Sequence, residues 1–161
     1  MNGLRTLLVC LALSLTAVAQ GPSVTALPLD VVAVPKGGSA IATLTFRVSK
    51  GFHINSNKPN SDLLIPTVLK LSPQNDLMVG KIEYPKGEDL TFEFSPDEKM
   101  SVYSGDFTVK ALVRSTQNAA PGTYRINGQL KYQACNDRQC FPPKTAPVAL
   151  DVKVAKRARQ R

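Results

Sequence analysis

Tyr124-Arg125-Ile126-Asn127-Gly128-Gln129-Leu130-Lys131-Tyr132-Gln133-Ala134-Cys135 alternates one residue at a time. Tyr124, Ile126, Gly128, Leu130, Tyr132 and Ala134 share one parity, and Arg125, Asn127, Gln129, Lys131, Gln133 and Cys135 share the other. Successive side chains of a strand point to opposite faces, so this is a half-buried β-strand with one apolar face. On that parity the Cys135 sulfur falls on the polar face, near the surface. The same period recurs in Val148, Leu150, Val152 and Val154 against Ala149, Asp151 and Lys153. It recurs again in Leu44, Phe46 and Val48 against Thr43, Thr45 and Arg47.

Working outward, residues 27–34, 51–56, 64–71, 78–84, 90–94 and 105–114 are further strand candidates. Turn signals separate them: Pro35-Lys36-Gly37-Gly38, Lys58-Pro59-Asn60, Pro85-Lys86-Gly87, Ser95-Pro96-Asp97 and Ala120-Pro121-Gly122. No window shows the 3.6-residue period of a helix. Eight or nine short strands in about 130 residues predict an all-β, immunoglobulin-like antiparallel β-sandwich, with a closed barrel as the structural alternative. The chain has no Trp, and residues 20–152 have no widely spaced cysteine pair, so the antibody-type core disulfide is absent.

The ends read differently from the middle. Arg5 precedes an apolar stretch from Leu7 to Ala19, and Ala17-Val18-Ala19 supplies a signal peptidase pattern. Residues 1–19 are therefore expected to be a secretory signal, cleaved near Ala19 into an exported, periplasmic mature chain. The stretch is shorter than the ~20 residues of a spanning helix, and no later segment matches it, so no transmembrane segment is expected in the mature chain. The formal charge is +8. Five of the basic residues lie in Lys153–Arg161, and residues 20–152 carry only +2. A folded domain over 20–154 with a basic, disordered tail over 155–161 is expected. A near-neutral body and a tail without interleaved aromatics argue against nucleic-acid binding. A monomer is expected.

Loss of the signal removes Cys10 and leaves Cys135 and Cys140. An even pair in an exported protein points to a disulfide. Two readings of it compete. A bridge closing so short a loop removes little chain entropy, less than the ~3 kcal/mol of a 15-residue loop, so it is a weak staple. A short loop at a sheet end is also open to attack by a partner thiolate, which suits a redox-active dithiol. Spacing alone leaves both open. Two cysteines and one distant His53 do not make a metal set, and no cofactor is implied.

The run Tyr132-Gln133-Ala134-Cys135-Asn136-Asp137-Arg138-Gln139-Cys140-Phe141-Pro142-Pro143-Lys144 resembles the active-site segment of the N-terminal periplasmic domain of the thiol:disulfide interchange protein DsbD. Gly51-Phe52-His53-Ile54-Asn55-Ser56-Asn57-Lys58-Pro59, Ile65-Pro66-Thr67 and Ser101-Val102-Tyr103-Ser104-Gly105-Asp106 are also similar to it, in family order. The resemblance implies an immunoglobulin-like sandwich whose Cys135 and Cys140 cycle between dithiol and disulfide. It implies thioredoxin-fold proteins as electron donor and acceptor. Cys140 would form the mixed disulfide and Cys135 resolve it. Tyr132, Phe141 and Pro142 flank the pair. A cap is implied within Phe94–Tyr103, with Phe94, Met100 or Tyr103 as the shielding side chain. Here the sequence departs from the family, because Ser95–Met100 intervenes where adjacent aromatics are usual. The strand 51–56 would line the site through His53 and Asn55, and His53 has the chemistry to assist proton transfer. The alternative to exchange is a non-enzymatic immunoglobulin-like binding or assembly module with a structural hairpin disulfide.

Overall fold

The computed structural model describes residues 21, 23–74 and 76–156. The expected signal (1–19) and residues 157–161 of the expected tail lie outside them. Twelve strands form three four-stranded sheets and, among the described residues, there is no helix. The first sheet orders β1 (Val24–Ala26), β3 (Ser39–Val48), β9 (Asp106–Ser115) and β6 (Leu77–Glu83). The second orders β2 (Val32–Pro35), β12 (Lys144–Ala155), β10 (Gly122–Tyr132) and β5 (Val68–Ser72). The third orders β11 (Ala134–Cys135), β4 (His53–Asn55), β8 (Ser95–Ser104) and β7 (Glu88–Phe92). Pairing is antiparallel throughout except between β2 and β12, which run parallel. The architecture is the immunoglobulin-like β-sandwich that the alternation predicted.

The core follows the period of two. Leu44, Phe46 and Val48 of β3 and Phe107, Val109, Ala111 and Val113 of β9 point inward from the first sheet. Ile126, Leu130 and Tyr132 of β10 and Val148, Leu150, Val152 and Val154 of β12 meet them from the second. Burying one such side chain stabilises the fold by about 1.5–3 kcal/mol. Phe46 stacks on Phe107 at 5.4 Å, and Phe107 on Tyr103 of β8 at 4.7 Å. This run of rings ties the third sheet to the first. Outward positions carry cross-strand ion pairs instead, Arg47 with Asp106 and Arg125 with Asp151. The Tyr124 hydroxyl donates back to the Ala120 carbonyl at 2.7 Å and fixes the entry to β10.

Three segments differ from the sequence expectation. Residues 27–34 are strand only from Val32, where β2 begins, and 27–31 form the connection from β1 of the first sheet to β2 of the second. The strand from Tyr124 does not run unbroken to Cys135. It ends at Tyr132, and the chain re-enters a different sheet at Ala134. Ser95-Pro96-Asp97 is not a turn but the start of β8, and the chain reverses at Glu93-Phe94 between Phe92 and its partner Ser95. Proline is tolerated there because it sits near the end of a strand, where few ladder bonds are lost.

β10 lies against β5 closely enough that a side chain at Gly128 would meet the Lys70 carbonyl and the Leu71 side chain. Gly128→Ala is expected to destabilise the domain by about 1–3 kcal/mol, the range for overpacking. Gly122→Ala, whose added carbon would meet only the Tyr124 ring at 3.9 Å, is the control. Urea unfolding midpoints of the two variants check this.

Candidate functional site

The third sheet has two different faces. Ile54, Ala134 and Tyr103 point into the shared core. The opposite parity presents His53, Asn55 and Cys135, with Met100 and Val102 of β8 beside them. The cysteine pair is built on this second face.

Cys135 and Cys140 are joined by a disulfide with their Cα atoms 3.9 Å apart. The turn between them is held by hydrogen bonds of its own. The Asn136 side-chain oxygen accepts from the backbone N–H of Arg138 at 3.0 Å and of Gln139 at 2.9 Å. The Asn136 N–H donates to the Gln139 carbonyl at 2.9 Å, and the Phe141 N–H to the Ala134 carbonyl at 2.8 Å. Asn is suited to this position because its short amide can replace a backbone acceptor.

The two sulfurs sit in unlike surroundings. Cys135 is fully buried (0% exposed), whereas Cys140 is only partly covered. This corrects the expectation that Cys135 lies near the surface. The chain changes sheets at Gln133 but keeps its parity, Tyr132 and Ala134 facing the core and Cys135 the other side; Cys135 is buried because β7 and β8 cover that other face. The break is fastened by side chains. Asn55 Nδ2 donates to Gln133 Oε1 at 3.3 Å and to the Ile65 carbonyl at 3.0 Å. Gln133 Nε2 donates to the Phe141 carbonyl at 3.2 Å, and the Asn55 N–H to the Gln133 carbonyl at 3.3 Å. Gln133 therefore holds both arms of the cysteine turn.

Cys140 packs against a small apolar cluster of Phe92, Met100 and Val102, joined by Leu64 and Leu90. Among the expected shielding residues, Met100 is in this cluster. Phe94 is at its rim, exposed and stacked on Phe92 at 5.7 Å. Tyr103 is not in it. It lies on the opposite face of β8, its hydroxyl donating to the Asn57 side chain and accepting from the Asn57 N–H. Phe92, Leu64, Leu90 and Val102 were not foreseen. The alternation Leu90-Thr91-Phe92-Glu93-Phe94 was the available signal, since it extends β7 up to the hairpin tip.

His53 and Asn55, expected to line the site, are both buried on its face. The His53 ring stacks on Phe92 at 3.9 Å, nearly parallel at 11°. Its Nε2 is buried without a hydrogen-bond partner, as is Asn55 Oδ1. Burial holds the His53 imidazole below its ordinary value of 6.5, opposed by the nearby Asp137 carboxylate. Tyr132 is buried in the main core, where its hydroxyl accepts from the Val24 N–H at 3.2 Å. Phe141 meets Phe52 edge-on at 5.7 Å, and Pro142 is exposed beyond it. Among the described residues, no cluster of His, Cys, Asp and Glu is arranged to hold a metal.

Residues 23–152 match the model of the family described as thiol:disulfide interchange protein DsbD, N-terminal. The chain belongs to that family. No curated protein sequence matches it. Among solved structures, the DsbD N-terminal domain of Neisseria meningitidis in the reduced form shares 23% identity. That match covers 69% of this chain and 76% of that one at a TM-score of 0.44. The same domain in complex with the PilB N-terminal domain is 22% identical, covering 69% and 73% of the two chains at a TM-score of 0.42. The seventh ScaB type I cohesin of Pseudobacteroides cellulosolvens shares the fold at 13% identity, with a TM-score of 0.54 over 86% of this chain and 96% of that one.

The His53 environment sets a pH dependence. Its folded-state affinity for protons is lowered, so below the ordinary value of 6.5 the unfolded chain takes up a proton that the folded one refuses. Stability is therefore complete above that value, falls as pH drops through it, and levels off below the folded-state value. The Asp106 and Asp151 carboxylates, held low by Arg47 and Arg125, lose their contributions only at more acid pH. His53→Phe, which keeps a ring against Phe92, is expected to flatten the loss between about pH 7.5 and about pH 5.5. Unfolding midpoints at the two pH values check it.

Proposed function

We propose that this domain is an exported thiol–disulfide exchange protein that passes reducing equivalents between thioredoxin-fold partners through Cys135 and Cys140. The observation that carries the reading is the unequal covering of the two sulfurs within a family of thiol:disulfide interchange domains. Exchange requires in-line attack on one accessible sulfur, with the other kept for closure. Cys140, at the edge of the apolar cluster, is the sulfur a partner reaches. Cys135, buried behind it, is reached only by its neighbour and resolves the mixed disulfide. The Neisseria meningitidis DsbD N-terminal domain forms a complex with the PilB N-terminal domain, and membership of the same family supports a protein partner here. The setting is the periplasm, where such pairs are cycled by protein partners. The chemistry needs no bound cofactor, and the domain acts as a monomer.

The residues over the site take their roles from this reading. Phe92, Met100 and Val102, with Leu64 and Leu90, form the cap on Cys140. The stack of Phe94 on Phe92 and of Phe92 on His53 fastens the tip of the β7–β8 hairpin over the sheet face.

Cys135→Ser with Cys140 retained is expected to trap a mixed disulfide with a thioredoxin-fold protein, visible by non-reducing electrophoresis and mass spectrometry. Cys140→Ser is expected to trap none. A reduction potential for the wild-type pair below about −300 mV, the range of structural disulfides, would overturn the exchange role.

Phe92→Ala is expected to speed reduction of the disulfide by a small phosphine several-fold, while Tyr103→Phe leaves that rate unchanged. Stopped-flow reduction kinetics distinguish the two.

A further inference from the structure

We propose that His53 is the proton acceptor for Cys135, its Nε2 taking the thiol proton as the Cys135 sulfur closes on Cys140. The proposal rests on the exchange reading above and gives it a proton route. His53 and Cys135 are register partners across β4 and β11. Residues directly opposite in an antiparallel pair carry their side chains on the same face, with Cβ atoms about 4.5–5.5 Å apart. Both residues are buried, at 4% and 0% exposure, so water does not serve the sulfur from outside.

The orphaned nitrogen is the second observation. His53 Nε2 is buried and has no donor or acceptor. Buried polar atoms are nearly always paired, so an unpaired one asks for a reason. Reduction supplies it. Breaking the sulfur–sulfur bond leaves an S–H on Cys135, on the same sheet face as a nitrogen that accepts when the ring proton is on Nδ1. The other unpaired buried atom, Asn55 Oδ1, shares the face but lies opposite Gln133, and an amide oxygen is not a base at neutral pH.

The environment suits the role. The Phe92 ring at 3.9 Å fixes the plane of the imidazole, and burial keeps it neutral and ready to accept. Of the charged groups, Asp137 acts on His53 and favours the imidazolium once a proton arrives.

The step balances. Cys140 thiolate attacks a partner disulfide, a Cys140–partner sulfur bond forms, and the partner's other sulfur leaves as a thiolate. Cys135 S–H then gives its proton to His53 Nε2, and the resulting thiolate attacks Cys140 Sγ. The Cys135–Cys140 bond forms, the bond to the partner breaks, and the departing partner thiolate takes the proton from the imidazolium. Two electrons pass to the partner, whose disulfide is reduced while this pair is oxidised. Loading of the domain runs the same step in reverse.

The test uses glutathione disulfide as the oxidant of the reduced protein. Acid quenching separates formation of the glutathione adduct at Cys140 from its closure by Cys135. His53→Phe keeps a ring against Phe92 and has no base. His53→Gln keeps an acceptor and has no base. Closure is expected to slow about tenfold or more in both variants, the low end of general acid–base effects, with adduct formation unchanged. In a Cys140→Ser background, the pH midpoint of the Cys135 thiolate absorbance in the ultraviolet is expected to rise when His53 is replaced. Closure at the wild-type rate in both variants overturns the proposal. So does full rescue by Gln, which would make His53 a hydrogen-bonding support only. If His53→Phe does not fold, His53→Gln decides alone. Slowed closure with glutathione and no exchange with any protein would retain the proton route while removing the function it serves.

Discussion

The site depends on one hand-over in the chain. At Gln133 the backbone leaves the second sheet, and at the next residue, Ala134, it is paired in the third. A break of this kind leaves donors and acceptors that must be satisfied away from water. Gln133 and Asn55 satisfy them for each other, and Gln133 reaches across to the Phe141 carbonyl on the far arm of the turn. That hand-over sets Cys135 opposite His53 on the face of the third sheet that β7 and β8 cover, while Cys140 lies at the edge of the cover. The difference between the two sulfurs is a consequence of where that cover ends.

The hairpin of β7 and β8 is the second element of the site, and its shape has an equally local cause. A reversal at Glu93-Phe94 brings the apolar side of β7 back over the cysteine face. Phe92 is the pivot, touching His53 on one side and Phe94 on the other. These are face contacts between rings, held by apolar burial rather than by backbone ladders. A covering of this kind is set by side chains at a hairpin tip, the part of a sheet with fewest strand partners.

Much of this was legible in the sequence, and the failures have definite reasons. The alternation in β3, β10 and β12 fixed which residues face the core, because both sheets bury one face and leave the other wet. The cysteine run and its neighbours pointed to the family before any coordinates. Parity held through Ala134 and Cys135, but alternation does not show that the face carrying Cys135 is covered by β7 and β8 rather than wet. Ser95-Pro96-Asp97 looked like a turn because proline and aspartate are turn formers, yet here they begin the exposed first half of β8, where their preferences cost little. Phe92 was overlooked although its alternation with Leu90 and Phe94 stood in the sequence. The burial of His53 had no local signal: a histidine on a polar parity is buried only if another element folds over it, and tertiary cover leaves no trace in its own strand.

The turn between the cysteines carries a further implication. Asn136 closes it through its own side chain and backbone, and Phe141 ties its exit to Ala134, so none of these bonds involves sulfur. The framework that keeps the two cysteines adjacent is thus separate from the bond between them. When that bond opens, the thiols remain close neighbours, and re-forming it is a reaction at high effective concentration rather than a search. On the exchange reading proposed above, each cycle can then be confined to two atoms and a proton, leaving the sandwich as an unmoving frame.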